Sequence, residues 1–365
     1  MSRLRVVVLF GGRSVEREVS RISARTIVGA LDPSKYDVVP LAVGPDGHFL
    51  PAADSRRLLA AGSVPEKFRR PGSDEERLDS RALVPAEITP ARADVVVPII
   101  HGTTGEDGVL QGFLEFLGIP YVGSGVAGSA IGMDKAVFKS LLRDAGIPTT
   151  RFLSLSPRES PGVRGVLSSV SPPFRLPLFV KPSNGGSSVG VTKVKQWEDL
   201  DAALAAAFRY DDRALVEEGV DARELECAVL GNDEPVASGV GEVVPGREFY
   251  DYDDKYREDN AKLLIPAPIE AAVAEEVRGL AVRAFQAAGI SGMARVDFFL
   301  EKGTGRVLVN ELNTLPGFTS ISMYPKLWEA AGLPLPRLLD ELIRLALERK
   351  ERRGRLSHEP PAELT

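Results

Sequence analysis

Along the first third of the chain, apolar positions follow two alternating periods. Short runs at Leu4–Phe10, Tyr36–Val43, Asp94–Ile100 and Ile119–Val122 are continuously apolar and β-branched, as strands buried on both faces are. Between the first two runs, Val15, Val19, Ile22 and Ile27 approximate helical spacing, with Ser14 as N-cap and Pro33 just beyond the end. This βαβ order predicts a doubly wound parallel α/β domain over residues 1–133. Residues 51–92 break the pattern: they are charged and Pro-rich, and predict a partly helical surface insertion.

Past Met133 the pattern changes. A helix is predicted from Asp134 to Ala145, ended by Gly146-Ile-Pro148, and the Ser- and Pro-rich residues 154–177 predict a loop. The strand Leu178–Lys181 then runs through a glycine-serine loop into a strand at Val189–Val194. A helix at Trp197–Phe208 and strands at Ala214–Glu217 and Leu225–Leu230 complete an α+β unit. Residues 236–265 predict strands around an aromatic, charged loop. A helix from Glu270 to Ala288, two strands and a closing helix near Pro334–Arg349 follow. Domains are therefore expected at 1–133, 134–226 and 227–350, with 351–365 as a disordered tail.

Composition narrows the function classes. Hydrophobic residues make up 44% and charged residues 26%, the profile of a soluble globular protein. The net charge of -6, with no dominant basic patch, lacks the electrostatic footprint of a nucleic-acid binder, so any anionic ligand must be held by local charges. Cys227 is the single cysteine and cannot form an intrachain disulfide. Its strand-like surroundings, ELECAVL, predict a buried thiol. Arg3 and Arg5 precede an apolar run too short for a signal peptide, and no run is long enough to cross a bilayer. A cytoplasmic protein with no membrane partner is expected.

Two segments carry phosphate and metal chemistry. In FVKPSNGGSSVG, residues 179–190, two adjacent glycines and three serines beside Lys181 can offer N–H groups and hydroxyls to phosphate oxygens. The glycine spacing is not that of a P-loop, and a plain hairpin turn would use the same residues. In the second segment, ARVDFFLE and RVLVNELN flank the turn Lys302–Gly305 and predict an antiparallel hairpin. With the turn centred on Thr304, Asp297 lies opposite Glu311 and Arg295 opposite Asn313, all on one face. Two carboxylates and an amide oxygen so placed suit Mg²⁺ carrying nucleotide phosphates. Apolar neighbours (Val296, Phe298, Val309 and Leu312) argue against a merely solvated face.

Weaker signals accompany these. Gly123-x-Gly125-x-x-Gly128 has the spacing of a dinucleotide fingerprint but no downstream strand ending in an acidic residue. Glu16 follows Gly11-Gly12 in the first turn of a helix, where it either complements the helix dipole or grips an ammonium. His101 ends the run VVVPII and opens HGTTGEDG. FYDYDDKY, residues 249–256, has the aromatic content of a lid.

In this order, GGRSVEREVS, HGTTGEDG, MDK, VKPSNGGSSVG, EFYDYDDKY, ARVDFF and NELNTLPGFTSISMYP resemble the D-alanine–D-alanine ligases of the ATP-grasp superfamily. The resemblance runs from Leu4 to about Arg349. It implies an ATP-grasp fold: an N-terminal doubly wound parallel α/β domain followed by two α+β domains that sandwich ATP. It also implies ATP and two Mg²⁺ ions (Mn²⁺ as a substitute), two molecules of D-alanine as substrates, and a homodimer. Carried over by position, Lys135, Lys181 and Ser188 hold the ATP phosphates, and Lys255 reaches the γ-phosphate from the lid. Glu217, Glu218, Gly219 and Val220 contact adenine, and Glu224 the ribose. Asp297, Glu311 and Asn313 bind the metal ions. Glu16, with His101 nearby, takes the ammonium of the first D-alanine, and Ser322 the carboxylate of the second. Glu16, Ser187 and Tyr256 tie the lid to the N-terminal domain, while Arg295 and the Gly317 N–H form an oxyanion site.

The implied reaction makes D-alanyl-D-alanine through D-alanyl phosphate for peptidoglycan precursor synthesis. Relatives that use D-lactate tend to carry Phe where this chain has Tyr256, which favours D-alanine. The rivals are an ATP-grasp ligase with another second substrate, a nicotinamide enzyme built on the Gly123 fingerprint, and a nucleotide-binding module without turnover.

Overall fold

The computed structural model describes residues 3–63, 84–245 and 262–357. Near the N-terminus, β1 (Leu4–Gly11) lies between β2 (Tyr36–Val43) and β3 (Val95–Pro98) in a parallel sheet. Val6 to Phe10 are fully buried, as their unbroken apolar run requires. The helix Arg17–Ala30 crosses from β1 to β2. It begins after Glu16 rather than at Ser14, whose hydroxyl instead donates to the His101 carbonyl at 2.7 Å. The run Ile119–Val122 does not become a strand. Pro120 has no N–H to give, so a single bridge, Val96 with Tyr121, is all that forms.

The second sheet is antiparallel, in the order β4 (Phe152–Leu155), β7 (Ala214–Glu218), β5 (Leu178–Pro182), β6 (Thr192–Val194). Its core includes Leu178, Val180 and Val216 packed with Leu200 and Leu204 of the helix Leu200–Ala207. The expected loop at 154–177 contains a further helix, Val163–Ser169, whose Val163 and Leu167 reach the same core.

The third sheet has five antiparallel strands, in the order β10 (Lys262–Leu264), β9 (Val236–Val244), β8 (Ala222–Gly231), β11 (Gly292–Glu301), β12 (Val307–Asn313). The change from the second sheet to the third therefore falls between Glu218 and Ala222. The boundary expected at 226/227 lies in the middle of β8. Alternation along β8 splits its side chains. Leu225, Cys227 and Val229 face the helix Ala271–Ala287, while Ala228 and Leu230 face the helices Met323–Ala330 and Leu335–Gly354. The helix Leu335–Gly354 also packs against β3 and the helix Arg17–Ala30, so the N-terminal sheet and the last helix share one core. The closing helix continues to Gly354, which moves the start of the expected tail at 351 later; residues 358–365 lie outside the described ones.

A bulge in β12 decides what the third sheet presents. Phe298 pairs with Val309 and Leu300 with Val307, but Asp297 pairs with Glu311 and Arg295 with Asn313. Asn310 is the extra residue. Because of it, Val307 and Val309 face the apolar core on one side while Glu311 and Asn313, of the same sequence parity, face the other side. The expected pairing of the four polar residues is thus present, through a hairpin whose turn is half a residue away from Thr304.

Arg349 fastens the closing helix. It is 6% exposed and donates to the carbonyls of Gly123 and Tyr121 and to Ser291 Oγ, with its guanidinium carbon 4.3 Å from the Tyr121 ring centre. Within the 123–128 segment, Gly128 serves this junction: a Cβ there would lie 2.9 Å from the Gly289 carbonyl, so glycine allows close backbone packing. Arg349→Met leaves those carbonyls without a donor and should cost about 3 kcal/mol. Thermal unfolding checks this, with a midpoint several degrees lower expected and an unchanged midpoint contradicting the role.

Candidate active site

The glycine-serine loop leaves β5 and folds back over the N-terminal helix. Ser187 and Ser188 both adopt left-handed backbone, with φ of 52° and 59°. Such strain persists only where surroundings enforce it. The enforcing contact here is the Ser187 hydroxyl, which donates to Glu16 Oε1 across 171 positions of chain. A Cβ on Gly186 would come within 3.1 Å of Glu16 Oε2, so glycine lets the loop settle on that carboxylate. From the other side Lys135 Nζ donates to the Gly185 carbonyl at 2.5 Å. Lys135 is placed by Asp134, which caps its helix by accepting from Ala136 and Val137 N–H at 3.0 Å each.

Under the loop lies a buried chain of charge. Lys181 on β5 and Lys139 on the helix Lys135–Asp144 flank Glu217 of β7, one lysine on each carboxylate oxygen. Lys139 is fully buried and also donates to Thr149 and Thr150 at 2.9 and 2.8 Å. Burial alone would raise the Glu217 carboxyl, but the two lysines outweigh it and hold it down at about 2. Lys139 was missed by motif. Its signal was positional: it shares the buried face with Phe138 and Leu142.

The acidic row comes from three adjacent strands. Register places Glu226 of β8, Asp297 of β11 and Glu311 of β12 side by side, with Ala228, Arg295 and Asn313 in the next row. Arg295 grips Asp297 with two hydrogen bonds of 2.7 Å, and its Nε lies 3.0 Å from Glu226. Burial works against the guanidinium charge, but Asp297 and Glu226 raise its pKa well above the usual value.

Two cavities meet at these groups. One of about 660 Å³ is lined by Lys181, Ser188, Glu217, Glu218, Gly219, Val220, Glu224 and Asp297. That is room for a nucleotide. The other, about 160 Å³, is lined by Glu16, His101, Asn313, Gly317 and Ser322. Lys135, Ser187, Glu226, Arg295 and Glu311 line both. The Glu218 carboxylate is turned away to Arg151 and the Arg175 N–H, which leaves its backbone to the large cavity. Lys255 and Tyr256 lie outside the described residues.

His101 and Ser322 are already engaged. Leu315 offers a carbonyl 3.1 Å from His101 Nδ1, so Nδ1 carries the proton and Nε2 accepts from Ser23 at 3.4 Å. Ser23 in turn accepts from Phe318 N–H at 3.1 Å. Burial pushes the imidazole below its ordinary pKa, and it joins the N-terminal domain to the 315–318 loop as a neutral ring. Ser322 Oγ accepts from Thr319 N–H at 2.9 Å, next to Gly317. Glu106, not singled out from sequence, lines the small cavity; burial and the charge of Glu16 push its carboxyl up to about 8.

The donors present suit a hard cation: Asp297, Glu311 and Asn313 offer oxygen only. Beside them, the bulged Asn310 lines the large cavity with a buried Oδ1 that has no hydrogen-bond partner among the described residues. Asp297 is turned to Arg295, which takes both of its oxygens.

Comparison with known proteins gives the family of the chain. Residues 5–124 match the family described as D-ala D-ala ligase N-terminus, and residues 141–344 the one described as D-ala D-ala ligase C-terminus. The D-alanine–D-alanine ligase A of Chromobacterium violaceum is 50% identical over 361 residues, covering 96% of each chain. The D-alanine–D-alanine ligase of Acetivibrio thermocellus is 46% identical over 94% of this chain and 96% of its own. Among solved structures, the D-alanine-D-alanine ligase from Coxiella burnetii superposes with a TM-score of 0.82 at 38% identity, covering 97% of both chains. The VanG D-Ala:D-Ser ligase from Enterococcus faecalis gives 0.78 at 32%, covering 94% of this chain and 100% of that one. With likeness of this extent across both halves, and a glycine-serine loop, buried lysines and an acidic strand row gathered around two joined cavities, the chain belongs to the D-alanine–D-alanine ligase family of the ATP-grasp superfamily.

Proposed function

We propose that the chain joins two D-alanine molecules into D-alanyl-D-alanine with cleavage of ATP to ADP and phosphate, as a step in peptidoglycan precursor synthesis. The observation that carries this is the shared wall. The nucleotide-sized cavity and the small one open onto the same Lys135, Ser187, Arg295 and Glu311. A phosphoryl donor and an amino-acid carboxylate held in the two cavities meet there.

A carboxylate is a poor electrophile, so its oxygen first attacks the γ-phosphorus. The new O–P bond forms as the bond to ADP breaks. Both partners are anionic, and Lys135 and Lys181 lower the repulsion between them. Ser188 and the loop N–H groups hold the phosphates, Lys255 adds charge from the lid, and Glu217 through Val220 with Glu224 seat the adenosine. Magnesium, when bound at Asp297, Glu311 and Asn313, supplies charge neutralisation at the phosphates; two ions are proposed, with Mn²⁺ as a substitute. Glu16 takes the ammonium of the first D-alanine. His101, with both ring nitrogens occupied, shapes this pocket rather than binding through them. The amine of the second D-alanine, its carboxylate on Ser322, then attacks the acyl carbon. The C–N bond forms, a proton leaves the amine, and phosphate departs. Arg295 and the Gly317 N–H stabilise the oxyanion. Glu16, Ser187 and Tyr256 hold the lid against the N-terminal domain and keep water from the acyl phosphate.

A homodimer and a cytoplasmic location complete the proposal. Phe116 is 89% and Val109 61% exposed on one helix, apolar area that a second copy could cover. No described helix is long and apolar enough to cross a membrane.

The direct test is incubation with Mg-ATP and D-alanine, measuring phosphate and dipeptide, with D-serine and D-lactate as competing second substrates. D-Alanyl-D-alanine should dominate; folded protein without D-alanine-dependent turnover, or with D-serine or D-lactate preferred, contradicts the proposal. A second test concerns the lid. Tyr256→Phe should raise the share of D-alanyl-D-lactate, and an unchanged product ratio would remove Tyr256 from specificity.

A further inference from the structure

We propose that Glu226 is a positioning residue: it holds the Arg295 guanidinium when Asp297 turns to a divalent metal. The proposal rests on Asp297 as a metal ligand, and concerns a residue that no motif marked. Both oxygens of Asp297 accept from Arg295 at 2.7 Å. A dication on the same carboxylate competes with the guanidinium for those oxygens and repels it. Arg295 must nevertheless stay at the junction of the two cavities to meet an oxyanion.

The register settles what can receive it. Directly across from Arg295 stand Ala228 on β8 and Asn313 on β12, neither of them charged. Glu226, one row away beside Asp297, is 7% exposed, and its Oε2 already lies 3.0 Å from Arg295 Nε. The same Nε is 2.7 Å from Asp297 Oδ1, so the exchange of partner needs a short reorientation of the guanidinium rather than a relocation of the side chain. In this row Glu226, Asp297 and Glu311 set three negative charges against the one positive charge of Arg295. The excess favours a dication, and losing Glu226 halves it.

Binding of Mn²⁺ in the presence of a non-hydrolysable ATP analogue, read from the free Mn²⁺ resonance signal, tests this without turnover. Glu226→Gln should weaken Mn²⁺ binding about tenfold, given the strength of a close, poorly hydrated charge pair. Glu226→Asp should weaken it less, and a loss of turnover should persist in Glu226→Gln at saturating metal, because Arg295 is then held by neither carboxylate. Unchanged Mn²⁺ binding in Glu226→Gln, or turnover fully restored by excess metal, overturns the role. If Glu226→Gln fails to fold, Glu226→Asp is read by the same criteria. Asp297→Asn separates the two levels. Its binding Mn²⁺ normally would refute the metal site itself, whereas its loss beside an unaffected Glu226→Gln would refute only the part given to Glu226.

Discussion

One extra residue in β12 governs the chemistry of the third sheet. Side chains on a strand alternate, so a regular β12 would send Val307, Val309, Glu311 and Asn313 to the same side. Apolar and charged groups would then share a face, and either the valines would meet the ligand or the carboxylates would enter a dry core at several kcal/mol each. The bulge at Asn310 separates them. Val307 and Val309 pack with Phe298 and the helix Ala271–Ala287, and Glu311 and Asn313 join Asp297 and Arg295 on the opposite face. The same bulge leaves the Asn310 side chain on the wall of the large cavity.

The site is charged yet largely hidden from water, and it tolerates this partly by pairing charges held on neighbouring strands and helices. Glu217, 4% exposed, shares its oxygens between Lys139 and Lys181. Arg295 is held between Asp297 and Glu226, and Glu16 receives the Ser187 hydroxyl. Such pairs add little to stability, because desolvation offsets their attraction. What they supply is orientation: lysines and a guanidinium already aimed at the junction of the cavities need little reorganisation when a phosphate arrives. Contacts from the N-terminal domain complete the enclosure. Glu16, Ser23 and His101 bond to segments far away in sequence, and the shared core beneath them keeps the N-terminal sheet and the closing helix in place.

Much of this is legible in the sequence. Buried parallel strands announced themselves as continuous apolar runs, and the end of the helix Lys135–Asp144 by the Gly146-Ile-Pro148 stop. The opposed pairs Asp297/Glu311 and Arg295/Asn313 followed from hairpin symmetry, though only because the Asn310 bulge compensates a turn that is not centred on Thr304. Other features were hidden for identifiable reasons. The Ile119–Val122 run reads as a strand, yet Pro120 stops its ladder. The helix Val163–Ser169 is short and lies among serines and prolines that signal a loop. Lys139 and Glu226 belong to no motif, because their partners Glu217 and Arg295 are brought to them only by tertiary packing and by sheet register.

The central claim is that a carboxylate in the small cavity attacks a phosphoryl group in the large one across their common wall. Oxygen transfer reports this directly. With D-alanine carrying ¹⁸O in its carboxylate, attack through that oxygen predicts one labelled oxygen in each phosphate released as dipeptide forms. Phosphate released without label, alongside normal dipeptide formation, would contradict the account.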